Sequence, residues 1–161
     1  MKNIPLTQGK FAIVDDDSFE YLSQWKWCAI KSSKRFYAIR SVYRPYRYPL
    51  MVIMHRLILG VKDRKTQVDH IDRNGLHNWK GNLRIATHSE NRRNEGLRDI
   101  NSSGLKGVGW HKRIGKWQAR LGFEYGRIHL GYFDDKWDAA KAYNEAASEH
   151  FGEFAWLNPI P

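Results

Sequence analysis

The sequence predicts an α+β chain. It comprises a small N-terminal antiparallel sheet, a compact ββα unit, and a C-terminal three-stranded antiparallel sheet packed on one helix. Three observations predict this. Short apolar runs separated by polar turns fill residues 1–50. A strand, a long polar loop, a second strand and a capped helix follow over residues 66–97. Beyond residue 104, basic glycine-punctuated strands give way to an acidic helical stretch.

Composition narrows the partners. The 161 residues carry a formal charge of +10 with 14% aromatics, a mixture suited to phosphate contact and base stacking. A lone cysteine, Cys28, cannot form an internal disulfide, which points to a reducing compartment; its apolar neighbours predict that it is buried. No apolar run approaches the roughly 20 residues of a membrane span, and the first residues lack the apolar core of a secretory signal. A soluble, intracellular protein is expected, with no membrane and no obligate protein partner.

The first 50 residues read as strands. Phe11–Val14 is an apolar run ended by the turn-prone Asp15-Asp16-Asp17-Ser18, and Glu20–Leu22 suits a single helical turn. Residues 25–30 and 36–40 flank a polar turn at 31–34, as in a hairpin. Arg35 and Arg40, among several tyrosines, could track a DNA backbone. Leu50–Leu59 reads as a strand running into a short helix that Gly60 ends, with His55 as a packed, hydrogen-bonded core histidine.

The informative stretch comes next. Thr66–Asp72 reads as a strand containing Asp69-His70, with turn chemistry at Arg73-Asn74-Gly75. Asn82 precedes a second strand at Leu83–Ala86. Thr87 and Glu90 fit a capping box for a helix running from His88 to about Leu97, which carries Asn91 in its first turn. Hydrolysis of a phosphodiester needs an aligned nucleophile and relief of charge on the leaving oxygen. An imidazole titrating near neutrality suits deprotonation of water, so His70 is the candidate base. Asp69 offers a hard oxygen for Mg²⁺, and Asn91 an amide oxygen that can reach back toward it. Asn82 would tie down the loop and orient His70. Adjacent strand residues point to opposite faces, so Asp69 and His70 can work together only at a strand end. Structural zinc is disfavoured, because one cysteine and scattered histidines give no suitable spacing.

The C-terminal third segregates its charge. Residues 105–133 carry Lys106, Lys112, Arg113, Lys116, Arg120 and Arg127 against one acid, Glu124, with a turn at 124–126. Residues 134–153 reverse the balance and place Trp137, Ala140, Tyr143 and Ala147 on one helical face. Only the sheet could then face DNA.

Residues 68–75, 78–84 and 89–94 resemble the HNH endonucleases, in particular the phage homing type of the His-Asn-Asn subgroup. The resemblance implies a ββα-metal nuclease site with Asp69 and Asn91 as metal ligands, His70 as general base and Asn82 as the central asparagine. It also implies a Mg²⁺ cofactor, with Mn²⁺ as a substitute, and double-stranded DNA as partner. Residues 103–158 resemble the ethylene-response-factor (Apetala-type) DNA-binding domain, through Lys106-Gly107-Val108, residues 116–121, 129–133 and 139–147, and Leu157-Asn158. That resemblance places Lys106, His111, Arg120, Arg127 and His129 at DNA-contacting positions, with Gly109 and Gly122 where basic residues are common. The expected organisation is a DNA-contacting region at 1–50, a nuclease core at 51–98, a linker at 99–104 and the Apetala-type domain at 105–161. A site-preferring DNA endonuclease is the expected function; a non-catalytic DNA-binding regulator is the alternative.

Overall fold

The computed structural model describes residues 1–97, 100–123 and 126–161. The chain divides into two compact units, residues 1–87 and 88–161. The architecture is α+β, with every sheet small and antiparallel.

The first unit opens with a hairpin that the sequence signals only by its second half. β1 (Lys2–Pro5) pairs with β2 (Phe11–Val14), burying Ile4, Ala12 and Val14. The aspartate cluster read as a turn instead starts α1 (Asp16–Ser23), because Asp16 and Asp17 in the first turn complement the helix dipole. Leu22 anchors this helix in the core, and the Trp27 indole N–H caps the Leu22 carbonyl at 2.8 Å. β3 (Cys28–Ser32), β4 (Arg35–Val42) and β5 (Leu50–Ile53) form a meander, and Ser33 adopts φ 54° in the turn between the first two. β3 is an edge strand; Ala29, and Trp27 just before it, turn inward, so Cys28 points outward and is exposed, contrary to expectation. α2 (Met54–Ile58) follows β5 directly, and Gly60 takes φ 66° after it, as read from the sequence. One apolar core joins these elements around Ile4, Val14, Leu22, Trp27 and Met54.

β6 (Gln67–His70) and β7 (Leu83–Ala86) then form a two-stranded ladder. The intervening loop is not free. Ile13 donates to the Leu76 carbonyl (2.8 Å), Asn78 donates back to Ile13 (2.7 Å), and the Lys80 amide bonds Asp15 Oδ2 (2.6 Å). The loop therefore lies along β2 like an extra strand. The N-terminal hairpin thereby holds it in place.

The second unit begins with α3 (His88–Asn94), shorter than the helix expected to reach Leu97. Its end is fixed chemically: the Lys106 ammonium donates to the Arg93 and Glu95 carbonyls, both at 2.6 Å, just before Gly96. β8 (Val108–His111), β9 (Lys116–Phe123) and β10 (Gly126–Phe133) make a three-stranded sheet with β9 central. The expected turn at 124–126 includes Glu124 and Tyr125, which lie outside the described residues, as does Asp99 at the head of the stretch expected to link domains. α4 (Lys136–Phe151) packs on this sheet. Asp135 caps it through the Trp137 and Asp138 amides, and Ala139, Ala140 and Ala147 are fully buried, so backbone and sheet approach closely. Gly107, at φ 74°, has no room for a side chain: a Cβ would meet the Tyr143 ring at 2.1 Å and the Arg120 carbonyl at 2.6 Å.

Candidate nuclease site and nucleic-acid interface

β6 ends at His70, so the strand-end condition for Asp69 and His70 is met. Both are buried, at 2% and 4% exposure. Asp69 faces Arg84 across the β6–β7 ladder, and the guanidinium grips its Oδ2 through Nε (3.0 Å) and Nη2 (2.8 Å). Arg84 was not singled out from sequence. Pairing the two predicted strands residue by residue would have set it opposite Asp69.

His70 sits among groups drawn from three separate elements. Its Nε2 lies 3.3 Å from Asn78 Oδ1 in the β6–β7 loop. The His55 ring of α2 meets it edge to face, with centroids 4.9 Å apart and planes at 88°. The Tyr37 ring of β4 lies 6.0 Å away. Burial lowers the His70 pKa, partly opposed by the Asn78 hydrogen bond and by Asp72 and Asp69. The imidazole is therefore neutral at pH 7, the form a base requires. His55 is packed, as expected, but its buried Nδ1 has no hydrogen-bond partner among the described residues. Burial, helped by His70 and Arg56, lowers its pKa to about 3.

Asn82 stitches the start of the loop. Its Oδ1 accepts from the Asp72 amide (3.0 Å), while Nδ2 donates to Asp72 Oδ1 (2.9 Å) and the His77 carbonyl (2.8 Å). Its own carbonyl accepts from the Ile71 amide at 2.9 Å, fixing the backbone immediately after His70. Asp72 in turn bonds His77 Nδ1 at 2.5 Å. Although burial opposes it, hydrogen bonds from Asn74, Asn82 and His77 hold the Asp72 carboxyl below its usual range. Gly75 lets the loop press on β4, since a Cβ there would meet the Phe36 carbonyl at 2.4 Å and the Tyr37 ring at 2.6 Å.

Among the described residues, no three His, Cys, Asp or Glu side chains gather into a metal cage. One carboxylate and one amide suit Mg²⁺, which is held through few protein oxygens and keeps several waters. Asn91 stands on α3, in the second unit.

Arg35 and Arg40 lie on opposite faces of β4 by strand alternation. Arg35 shares its face with Tyr37, and its charge acts on His70 and Arg73. Arg40 instead stacks on the Trp25 ring at 4.1 Å. No acidic residue occurs between 21 and 62. The β4–β5 loop within that span exposes Tyr43, Tyr46 and Tyr48 almost completely.

In the second unit, register decides which residues share a face. Ala119 and Leu121 turn inward and are fully buried, so Gln118, Arg120 and Gly122 turn outward. Their partners His129 and Arg127 on β10 and Gly109 on β8 share that outer face, as does the His111–Lys116 pair at its end. The predicted contact residues His111, Lys116, Arg120, Arg127 and His129 therefore fall together. Lys112 and Arg113 occupy the turn at the sheet's end. Lys106 does not join them, since its ammonium is committed to the end of α3. Lys116 pairs with Asp134 at 3.1 Å, and His129 Nδ1 lies 3.0 Å from Gln118 Nε2. Trp117 packs in the core, whereas Trp110 is half exposed. A cleft of about 540 Å³ in the same unit brings Arg92 and Arg93 of α3 into one lining with Arg120 and Arg127.

No helix among the described residues is long and apolar enough to cross a membrane. No family model matches the chain. It is 34% identical over 161 residues to a protein of Acanthamoeba polyphaga mimivirus named as an uncharacterized HNH endonuclease, covering 95% of this chain and 77% of the relative. It is 34% identical over 88 residues to Protein 3.8 of Escherichia phage T7, covering 55% of this chain and 72% of that one. A shorter likeness, 44% over 62 residues, links 37% of the chain to 14% of an APETALA2-like protein of Oryza sativa. Because the first of these likenesses runs through nearly the whole chain and most of its relative, the chain belongs to the HNH endonuclease family.

Proposed function

We propose that the chain is a divalent-metal-dependent, site-preferring endonuclease of the homing type, which nicks or cleaves duplex DNA by hydrolysing a phosphodiester. The observation that carries this reading is the buried Asp69–His70 pair at the end of β6, with the imidazole ring held from two sides. His70 takes a proton from the attacking water. Asn82 fixes the loop against which His70 turns, and Arg84 balances the Asp69 charge. Asp69 and Asn91 would hold Mg²⁺ or Mn²⁺; the part of Asn91 rests on the motif resemblance. When bound, the cation relieves negative charge on the departing 3′ oxygen, which leaves 5′-phosphate and 3′-hydroxyl ends.

In this reading residues 51–98 form the nuclease core, 1–50 contact DNA through Arg35, Arg40 and the tyrosine-rich loop, and 99–104 link to an Apetala-type domain at 105–161. The outer sheet face, with Arg120, Arg127, His129, His111 and Lys116, grips phosphates beside Lys112 and Arg113. Lys106 supports the domain from the end of α3.

The partial likeness to a plant APETALA2-like protein favours a second reading, a non-catalytic DNA-binding regulator. One assay separates them. Supercoiled plasmid with Mg²⁺ should become nicked, and His70→Ala should abolish nicking while duplex binding persists. A protein that binds but never nicks supports the regulator; nicking undiminished in the variant refutes the assigned base.

A further inference from the structure

We propose that Asn78 is a positioning residue for His70: it selects the Nε2–H tautomer and so makes Nδ1 the atom that accepts the proton from water. The argument starts from a carbonyl. Asn78 Nδ2 lies 3.4 Å from the Gly75 carbonyl oxygen, which can only accept. The amide is therefore oriented with its NH₂ toward Gly75 and its Oδ1 toward His70. Oδ1 is also only an acceptor, so the His70 Nε2 at 3.3 Å must carry the hydrogen. A neutral imidazole has one N–H, and the basic lone pair then belongs to Nδ1.

The amide cannot turn away to undo this. Asn78 is 1% exposed, and its backbone amide bonds the Ile13 carbonyl at 2.7 Å, tying it to β2. Gly75 is itself pressed against Phe36 and Tyr37 of β4. Two strands remote in sequence thus fix the amide, the amide fixes the tautomer, and the edge-on His55 ring fixes the plane of the imidazole. Neither motif resemblance assigns this asparagine a role.

The proposal rests on the nuclease reading for its consequence and on geometry alone for the tautomer, so it is tested in two arms on the full-length protein. The first is the ¹⁵N spectrum of the His70 ring in metal-free protein at about pH 8. A pyrrole-type Nε2 and a pyridine-type Nδ1 are expected, and the Asn78→Ala variant should lose this fixed assignment. The second arm is plasmid nicking. Asn78→Ala should lower kcat about 10- to 100-fold, the usual effect of removing a partner that orients a functional imidazole, with KM for DNA unchanged within about 2-fold. Asn78→Asp keeps an acceptor oxygen toward His70 but loses the donor to the Gly75 carbonyl, so in the ¹⁵N spectrum it should keep the hydrogen on Nε2; it carries that arm of the test if the alanine variant does not fold. An Nδ1–H tautomer in the native protein overturns the proposal. So does wild-type kcat in Asn78→Ala, or an Asn78→Asp variant whose Nε2 carries no hydrogen. A native protein with the Nε2–H tautomer but no nicking activity refutes the nuclease reading and leaves the tautomer assignment standing.

Discussion

His55 makes the stability of the first unit depend on pH in a way that can be calculated. It is 8% exposed, its Nδ1 is without a partner among the described residues, and its pKa is lowered to about 3 from an ordinary 6.5. Between those values the unfolded chain binds a proton that the folded chain refuses. Stability therefore rises with pH across that window and falls on acidification, by up to about 1.4 kcal/mol per pH unit. Acidifying from about pH 7.5 to about pH 5 should cost this unit about 2 kcal/mol through His55 alone. His55→Met keeps the volume and removes both the titration and the unsatisfied nitrogen. The contribution of His70 acts in the same direction but is present in both chains, so their difference isolates His55. Urea unfolding followed by the methyl NMR signal of buried Met54 reads this unit and not the second. Equal losses in native and variant protein would refute the reasoning.

Three further outcomes are expected. Arg84→Met removes the guanidinium that grips the Asp69 carboxylate, 1% exposed at its side chain, and should destabilise the first unit by about 3–5 kcal/mol in the same unfolding assay; adding Asp69→Leu should recover much of that. Combining Arg120→Ala, Arg127→Ala and His129→Ala on the outer sheet face should weaken duplex binding and flatten its log–log salt dependence by about 0.9 per phosphate contact removed, measured by fluorescence anisotropy. Gly107→Ala drives a methyl into the Tyr143 ring at a φ of 74° and should cost the second unit at least about 2 kcal/mol by thermal unfolding.

What the sequence made legible follows from the range of the forces involved. β7 matches its predicted residues 83–86, and α2 ends before Gly60 as read, because alternation and glycine act locally. The residues of the outer face of the C-terminal sheet came instead from the Apetala-type resemblance, and the register of β8, β9 and β10 places His111, Lys116, Arg120, Arg127 and His129 on that face. Asp15–Asp17 misled because the same residues favour turns and helix starts, and only the burial of Leu22 decides between them. Cys28 misled because an apolar neighbourhood in sequence is split between two faces in a strand. Asn78 and Arg84 were invisible as site residues. Their meaning comes from a hydrogen bond to β2 and a cross-strand register, neither of which a linear reading weighs. Lys106 matched a DNA-contacting position, yet its ammonium completes a helix end, a geometry that depends on where Arg93 and Glu95 stop being helical.

Gly109 and Gly122 on the outer sheet face carry a consequence for how this protein could change its target. At neither position would a Cβ meet any atom within 4 Å, and neither holds a left-handed backbone. Nothing in the fold requires glycine there; by strand energetics another residue should stabilise the sheet by roughly 0.5–1 kcal/mol. Gly122 lies opposite Arg127 and Gly109 opposite Gln118, and both are open to gain a side chain by a single substitution without repacking. Under the proposed function, in which this face grips DNA, it is an unwritten reading surface: side chains can be added to it one at a time, each without first spending stability.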